Sequence, residues 1–319
     1  MHPVTEKFRH SLIRWQFFKA RAPLLVAVSG GIDSMVLLHL LHHLPVPLHP
    51  RVAVLHFNHR LRGKESEEEE RFVRCYCLRE KIPCVVGRSR PWRSKENLQE
   101  RAREARYRFF QGQSRKRRIF TLATAHQADD QAESFLIRWI QGAGLKGLGG
   151  IPMQRCDGHL KIVRPLLLIS RAEICDYARH FKIPYREDSS NRSDRYLRNK
   201  IRLLVKRLKL INPQLAQRST LNALFLQADS DYLDQVTHLT LRRIEQEGWK
   251  TPTYLKLPLS LRWRCLQKLF QGVQGGTLSG EHILKLDELL QSKEGRSEYH
   301  LPHGVLFHKK QGKFTFTKK

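Results

Sequence analysis

The chain has no C-x-x-C pair, no apolar run of membrane length and no lysine behind its glycine-rich turn. Each absence excludes a class of protein. The six cysteines stand at positions 75, 77, 84, 156, 175 and 265. Cys75 and Cys77 are separated by a single residue, a poor spacing for zinc. A structural zinc or an iron–sulfur cluster is therefore not expected, and all six are read as reduced thiols. No apolar stretch approaches the roughly 18–20 residues that cross a bilayer. Residues 1–20 are charged and amphipathic, unlike a secretory signal. No membrane partner and a cytoplasmic location are expected. Internal repeats and low-complexity tracts are absent too. Acidic residues are scarce: 30 Asp+Glu stand against 58 Lys+Arg, a net charge of +28. That excess is beyond what solubility needs, and it points to a polyanion, nucleic acid above all.

What is present begins with Leu24 to Val28, an apolar run that reads as a buried parallel strand. Ser29-Gly30-Gly31-Ile32-Asp33-Ser34 follows, and Met35 to Leu41 reads as a helix. A strand, a Ser/Gly turn and a helix N-terminus form an anion site, because free amides and the helix dipole favour a phosphate there. A Walker-type loop needs a lysine that this turn lacks. Asp33 repels phosphate unless a cation lies between them, so the combination suggests a magnesium nucleotide. Ser-Gly-Gly alone would read as an ordinary turn; the whole S-G-G-x-D-S behind a strand argues against that.

Further strands are expected at Arg51–Phe57, Ile82–Val86 and Ile119–Ala125, alternating with helices over residues 22–141. This alternation predicts a doubly wound parallel α/β sheet, with ligands at the carboxyl ends of its strands. Ser29, His56 and His126 fall at such ends. The acidic run Glu67 to Glu70 reads as a solvated helix face, and the glycines between Gly142 and Gly150 as a flexible connector. After Pro213 the pattern turns helical, followed by short strands of a hairpin within residues 297–317. Two domains are expected, a catalytic one over 1–212 and a smaller, mainly helical substrate domain over 213–319.

Two clusters add chemistry. Asp130 and Glu133 are three apart on a helix and share a face, beside His126. They can hold Mg²⁺, orient an amine or act as a base. Arg101 to Arg118 carries eight Lys/Arg against one acid, and Arg195 to Lys209 carries seven against none. A phosphate loop without its own lysine needs cations from elsewhere. Arg103 and Arg106 form an i,i+3 pair, as do Arg195 and Arg198, and one arginine from each helix is expected to reach the site, with the remaining ones left for nucleic-acid phosphates.

S-G-G-x-D-S resembles the signature of the ATP-pyrophosphatase, or PP-loop, family, whose members cleave ATP between the α and β phosphates. Further stretches resemble its tRNA(Ile)-lysidine synthetase branch: His56–Arg62, Asn97-Leu98-Gln99 through Arg106-Tyr107, and Thr124-Ala125-His126 with Asp129-Asp130-Gln131 and Glu133. Gly142 to Leu148, Arg164-Pro165-Leu166, Asp188 to Asn191 and Arg198-Asn199-x-x-Arg202 continue the series. Gln127 stands where a second histidine is usual, and Ser134 where threonine is usual. The resemblance implies ATP and Mg²⁺, a tRNA(Ile) with a CAU anticodon, free L-lysine and formation of lysidine on the wobble cytidine. On this basis Ser29, Gly30, Gly31, Ile32 and Ser34 are expected to bind the nucleotide and Asp33 the metal. Asp130 and Glu133 are expected to hold the lysine amine, His126 to orient the base or take a proton, Arg106 and Arg198 to stabilise the α-phosphate, and Asn191 to position the reacting groups. The second C-terminal domain of longer family members is expected to be missing. A homodimer stays open, as do a tRNA 2-thiolating PP-loop enzyme and a non-catalytic RNA-binding protein.

Overall fold

The apolar run before the glycine turn is buried on both of its faces. In a computed structural model, which describes residues 2–45, 48–90, 92, 97–186, 197–247, 249–274 and 276–318, it lies mid-sheet. The chain opens with α1 (Pro3–Trp15), β1 (Pro23–Ala27), α2 (Ile32–His42), β2 (Arg51–Asn58), α3 (Lys64–Arg79) and β3 (Cys84–Arg88). It continues through α4 (Leu98–Arg117), β4 (Thr121–Ala123), α5 (Ala128–Ile140), α6 (Leu145–Leu148), β5 (Gln154–Asp157), β6 (Leu160–Val163), α7 (Arg171–His180) and α8 (Leu197–Ile211). Then come α9 (Leu215–Glu247), α10 (Thr251–Leu255), α11 (Leu259–Gln274), α12 (Gly280–Gln291), β7 (Arg296–Leu301), β8 (Val305–Lys310) and β9 (Lys313–Lys318). Two compact units divide the chain at Gln227/Ala228.

In the first unit six strands run in the order β3-β2-β1-β4-β6-β5. Alternation along the strands sends side chains to two cores. Leu24, Val26, Val54, Ala123 and Val163 pack with α1, α2, α3 and α7 on one face. Leu25, Leu55, Leu122 and Ile162 pack with Tyr107 and Phe110 of α4 on the other. Each such side chain contributes roughly 1.5–3 kcal/mol when fully buried, and both faces need covering, so the strands read as continuous apolar runs. The sheet is doubly wound as expected. The strand order reverses between β1 and β4, which opens a crevice at their carboxyl ends.

Three features depart from the sequence-based expectation. β5 and β6 are additional strands, and β5 runs antiparallel to β6 around a turn at Gly158, whose φ is +59°. The 142–150 segment is a pinned turn, not a loose connector. Ile151 N donates to Gln131 Oε1 at 2.7 Å, Arg138 donates to Gly147 O at 2.8 Å, and Gln227 donates to Gly149 O. Glu70 is buried, not solvated: Arg88 binds it at 2.5 and 2.9 Å and Asn58 at 3.0 Å, which holds its carboxyl down to about 2.

The second unit has its own core of Tyr254, Cys265, Leu266, Phe270, Leu286, Leu290, Phe307 and Phe314. Buried Asp287 is satisfied by Tyr254 Oη and Arg262, each at 3.0 Å. The expected hairpin is a three-stranded antiparallel sheet, β7-β8-β9. All six cysteines are free. Among the described residues no helix is long and apolar enough to cross a membrane.

Candidate nucleotide and transfer site

The turn after β1 is built around one hydroxyl. Ser34 Oγ donates to Gly31 O at 2.8 Å and accepts from Ser29 N at 3.2 Å and Gly30 N at 3.3 Å. Ser29 Oγ accepts from Gly31 N at 3.3 Å. The loop is therefore shaped before any ligand arrives. Gly30 has φ +97°, a conformation L side chains rarely adopt, and a Cβ there would sit 3.4 Å from Val73.

A cavity of about 820 Å³ opens at the switch point. Ser29, Gly31, Ile32, Asp33, Ser34, His56, Arg106, His126 and Arg171 are among the side chains and backbone lining it. The convergence expected of Ser29, His56 and His126 is thus present. His56 Nδ1 lies 2.9 Å from Val28 O, which requires the proton on that nitrogen. Its Nε2 is left buried without a partner, an acceptor for an N–H donor. Burial lowers the His56 pKa, so the ring stays neutral.

Of the arginines at this cavity, Arg171 and Arg106 stand in different states. Arg171, which the sequence did not single out, donates to Asp33 Oδ1 at 2.5 Å. Burial raises the Asp33 pKa, while Arg171 opposes that rise. Arg106 has no carboxylate partner among the described residues, and burial, with Arg103 nearby, lowers its pKa. A half-buried guanidinium without a counter-charge is costly, and an anion relieves it. His126 lies 3.1 Å from Thr124 Oγ1 and is pushed down to about 3, by burial first and then by Arg164, Arg198, Arg103 and Arg106.

Asp130, Glu133 and Arg198 do not line that cavity. They form a cluster of their own between α5 and α8. Arg198 donates to Asp130 Oδ1 at 3.0 Å and to Glu133 Oε2 at 2.9 Å, and Arg202 to Glu133 Oε1 at 3.0 Å. Lys209 pairs with Asp129. Three cations of the second basic stretch therefore engage carboxylates. The shared face of Asp130 and Glu133 is as expected. Burial raises Asp130 to about 6, against the pull of Arg198, and Asp33 is near enough to add repulsion. Asn191 lies outside the described residues. Gln127 caps α5: its Oε1 accepts from Asp129 N at 2.6 Å, and Gln127 N donates to Asp130 Oδ2 at 3.0 Å.

Residues 3–208 match the family model described as a PP-loop domain. The chain is 33% identical over 315 residues to the tRNA(Ile)-lysidine synthase of Geobacillus kaustophilus, covering 95% of this chain and 68% of the relative. It is 34% identical over 330 residues to the enzyme of that name from Geobacter sulfurreducens, covering 99% of this chain and 69% of the relative. Among solved structures, the U34-tRNA thiolase NcsA from Methanococcus maripaludis, with its [4Fe-4S] cluster, superposes with a TM-score of 0.59 over 70% of this chain and 77% of that one. At 19% identity that likeness concerns the fold alone. With its switch-point loop, the match over residues 3–208 and these relatives, the chain belongs to the tRNA(Ile)-lysidine synthase family of PP-loop proteins.

Proposed function

We propose that the chain ligates lysine to C2 of the wobble cytidine of a CAU-anticodon tRNA(Ile), with ATP converted to AMP and pyrophosphate. The observation that carries this reading is the single cavity in which the Ser29–Ser34 loop faces Arg106 and His126. The Ser29, Gly30 and Gly31 amides and the Ser34 hydroxyl exchange their hydrogen bonds within the loop for the nucleotide phosphates. Cytidine O2 attacks the α-phosphate, because adenylation turns a poor leaving group into a good one. Arg106 meets the charge that builds on that phosphate, and its lack of an acid partner leaves it available.

Mg²⁺ fits the site in one manner. Among the described residues no three of His, Cys, Asp and Glu gather to hold a metal ion. Asp33, released from Arg171, would be the protein group that holds the ion, and the ion would supply positive charge against the nucleotide phosphates.

The lysine amine must lose a proton before it attacks C2. His126, pushed down to about 3, is too weak a base and serves to orient the pyrimidine. Asp130, raised to about 6, is the better match for a base near neutral pH. Asp130 and Glu133 hold the lysine amine, which displaces Arg198 from them and frees it to turn toward the α-phosphate. The segment over 213–319 grips the tRNA, and the reaction takes place in the cytoplasm. ATP-dependent incorporation of labelled lysine into tRNA(Ile) tests the reading; sulfur transfer, or RNA binding with no lysine incorporated, overturns it.

A further inference from the structure

Three guanidinium groups surround one buried phenol ring. The Cζ atoms of Arg103, Arg155 and Arg106 stand 4.9, 5.3 and 5.9 Å from the Tyr107 ring centroid. Behind them lies Arg164, only 3% exposed. Arg164 Nη1 donates to Pro152 O at 2.6 Å, but its Nε is buried without a partner, as is the Nε of Arg155. Among the described residues no carboxylate pairs with any of the four. The group grades inward, from exposed Arg103 through half-buried Arg106 and Arg155 to buried Arg164. Arg164 is pushed down to about 10, by burial first, with Arg155 and Arg103 adding to it against Tyr107.

Cations so placed repel one another, and the fold offers them no acid. A phosphate oxyanion at the outer side of the group, by exposed Arg103 and half-buried Arg155, supplies the missing charge. Two sources carry that chemistry, ATP and the RNA backbone. The Ser29–Ser34 loop with Arg106 already serves ATP. The cluster has an exposed outer member in Arg103, as a site reached by a polymer requires. It also lies close enough to His126 for Arg103 and Arg164 to depress that ring's protonation.

We propose that Arg103 and Arg155, gathered at Tyr107 and backed by the buried charge of Arg164, bind a backbone phosphodiester beside the reacting nucleotide and so set how far that nucleotide enters the cavity. The inference rests on the reading of the chain as a ligase acting on RNA.

Arg155→Gln is the main test, with Arg103→Gln as a second variant at an exposed position and Arg155→Lys as the conservative one. Thermal melting checks that each is folded. Affinity for an anticodon stem–loop RNA is measured over a range of salt, together with the KM for ATP. Each Gln variant weakens RNA binding about tenfold and flattens the slope of log K against log salt by about 0.7, while Arg155→Lys recovers part of both. The KM for ATP does not follow. Stem–loops carrying a single neutral methylphosphonate are scanned through the anticodon. At one linkage flanking the reacting cytidine, binding to the unaltered protein is as weak as native RNA binding to Arg155→Gln, and that variant adds little further loss. A raised KM for ATP with RNA affinity intact overturns the proposal, as does a full additional loss at every linkage. If these RNA effects appear without lysine incorporation, the ligase reading fails and the phosphate cluster stands.

Discussion

Arg171 Nη1 donates to Asp33 Oδ1 at 2.5 Å, which ties the first turn of α7 to the first turn of α2 at the phosphate loop. The loop lacks a lysine, and a distant arginine stands beside its carboxylate instead. Arg171 screens Asp33 from an approaching phosphate. Arg171→Ala is expected to raise the KM for ATP about tenfold, equivalent to about 1.4 kcal/mol. Both side chains are partly exposed, so stability should fall by less than about 1 kcal/mol. Steady-state kinetics with a melting curve tests this, and an unchanged KM counts against the screening role.

Arg106 makes a different prediction because it has no acid partner. Arg106→Gln is expected to lower kcat by about 10²–10³ if the cation meets transition-state charge. The melting temperature should hold or rise, since an uncompensated cation has been removed from a partly dry site. A large drop in melting temperature would mark Arg106 as structural.

Asp130 sets a pH dependence. Its folded pKa is raised to about 6, above the ordinary 3.8. The folded state therefore holds this proton more tightly than the unfolded state, so the group favours folding at acid pH and that advantage is lost as pH rises through about 6. Function follows the opposite sense, because the ionised carboxylate is the one that serves lysine. The KM for lysine should rise below about pH 6, and Asp130→Asn should abolish that limb while lowering transfer throughout. His126, at about 3, adds no limb above pH 5. The pH profile of lysine transfer for both proteins is the measurement.

Glu133 is nearly buried and bridges Arg198 and Arg202, whose side chains are partly exposed. Glu133→Gln removes one charge partner from each of two guanidinium groups, while Arg198 keeps Asp130. After solvent screening the cost is about 1–2 kcal/mol, which lowers the melting temperature by roughly 3–6 °C. High salt should narrow the gap between the two proteins, and thermal melts at two salt concentrations check it.

β1 and its turn were legible because a strand buried on both faces leaves an apolar run, and S-G-G-x-D-S is a local pattern. α5 was legible for the same reason, with its carboxylates at helix spacing. The β5–β6 hairpin was not read, because each strand has only four residues and β5 is largely unburied; the Asp157-Gly158 pair was its one turn signal. Arg171 was invisible among many arginines, since nothing local says that the first turn of α7 meets that of α2. Arg198 was singled out for phosphate, yet it rests on Asp130 and Glu133. Sequence shows which charges exist, and only the packing of α5 on α8 shows which neutralise one another. The Tyr107 cluster joins α4, β5 and the segment after β6, so it too appears only once the strands are paired.

The central claim is that adenylation at this cavity is joined to lysine transfer at the Asp130–Glu133 cluster. The most direct test follows α-labelled ATP and labelled lysine together on tRNA(Ile) with a CAU anticodon. Without lysine, the label of the α-phosphate should accumulate on the RNA with release of pyrophosphate. Adding lysine should discharge it as AMP, one for each lysine incorporated, on the wobble cytidine. AMP formed with no lysine on the RNA, or lysine incorporated without prior transfer of the α-phosphate, would contradict the account.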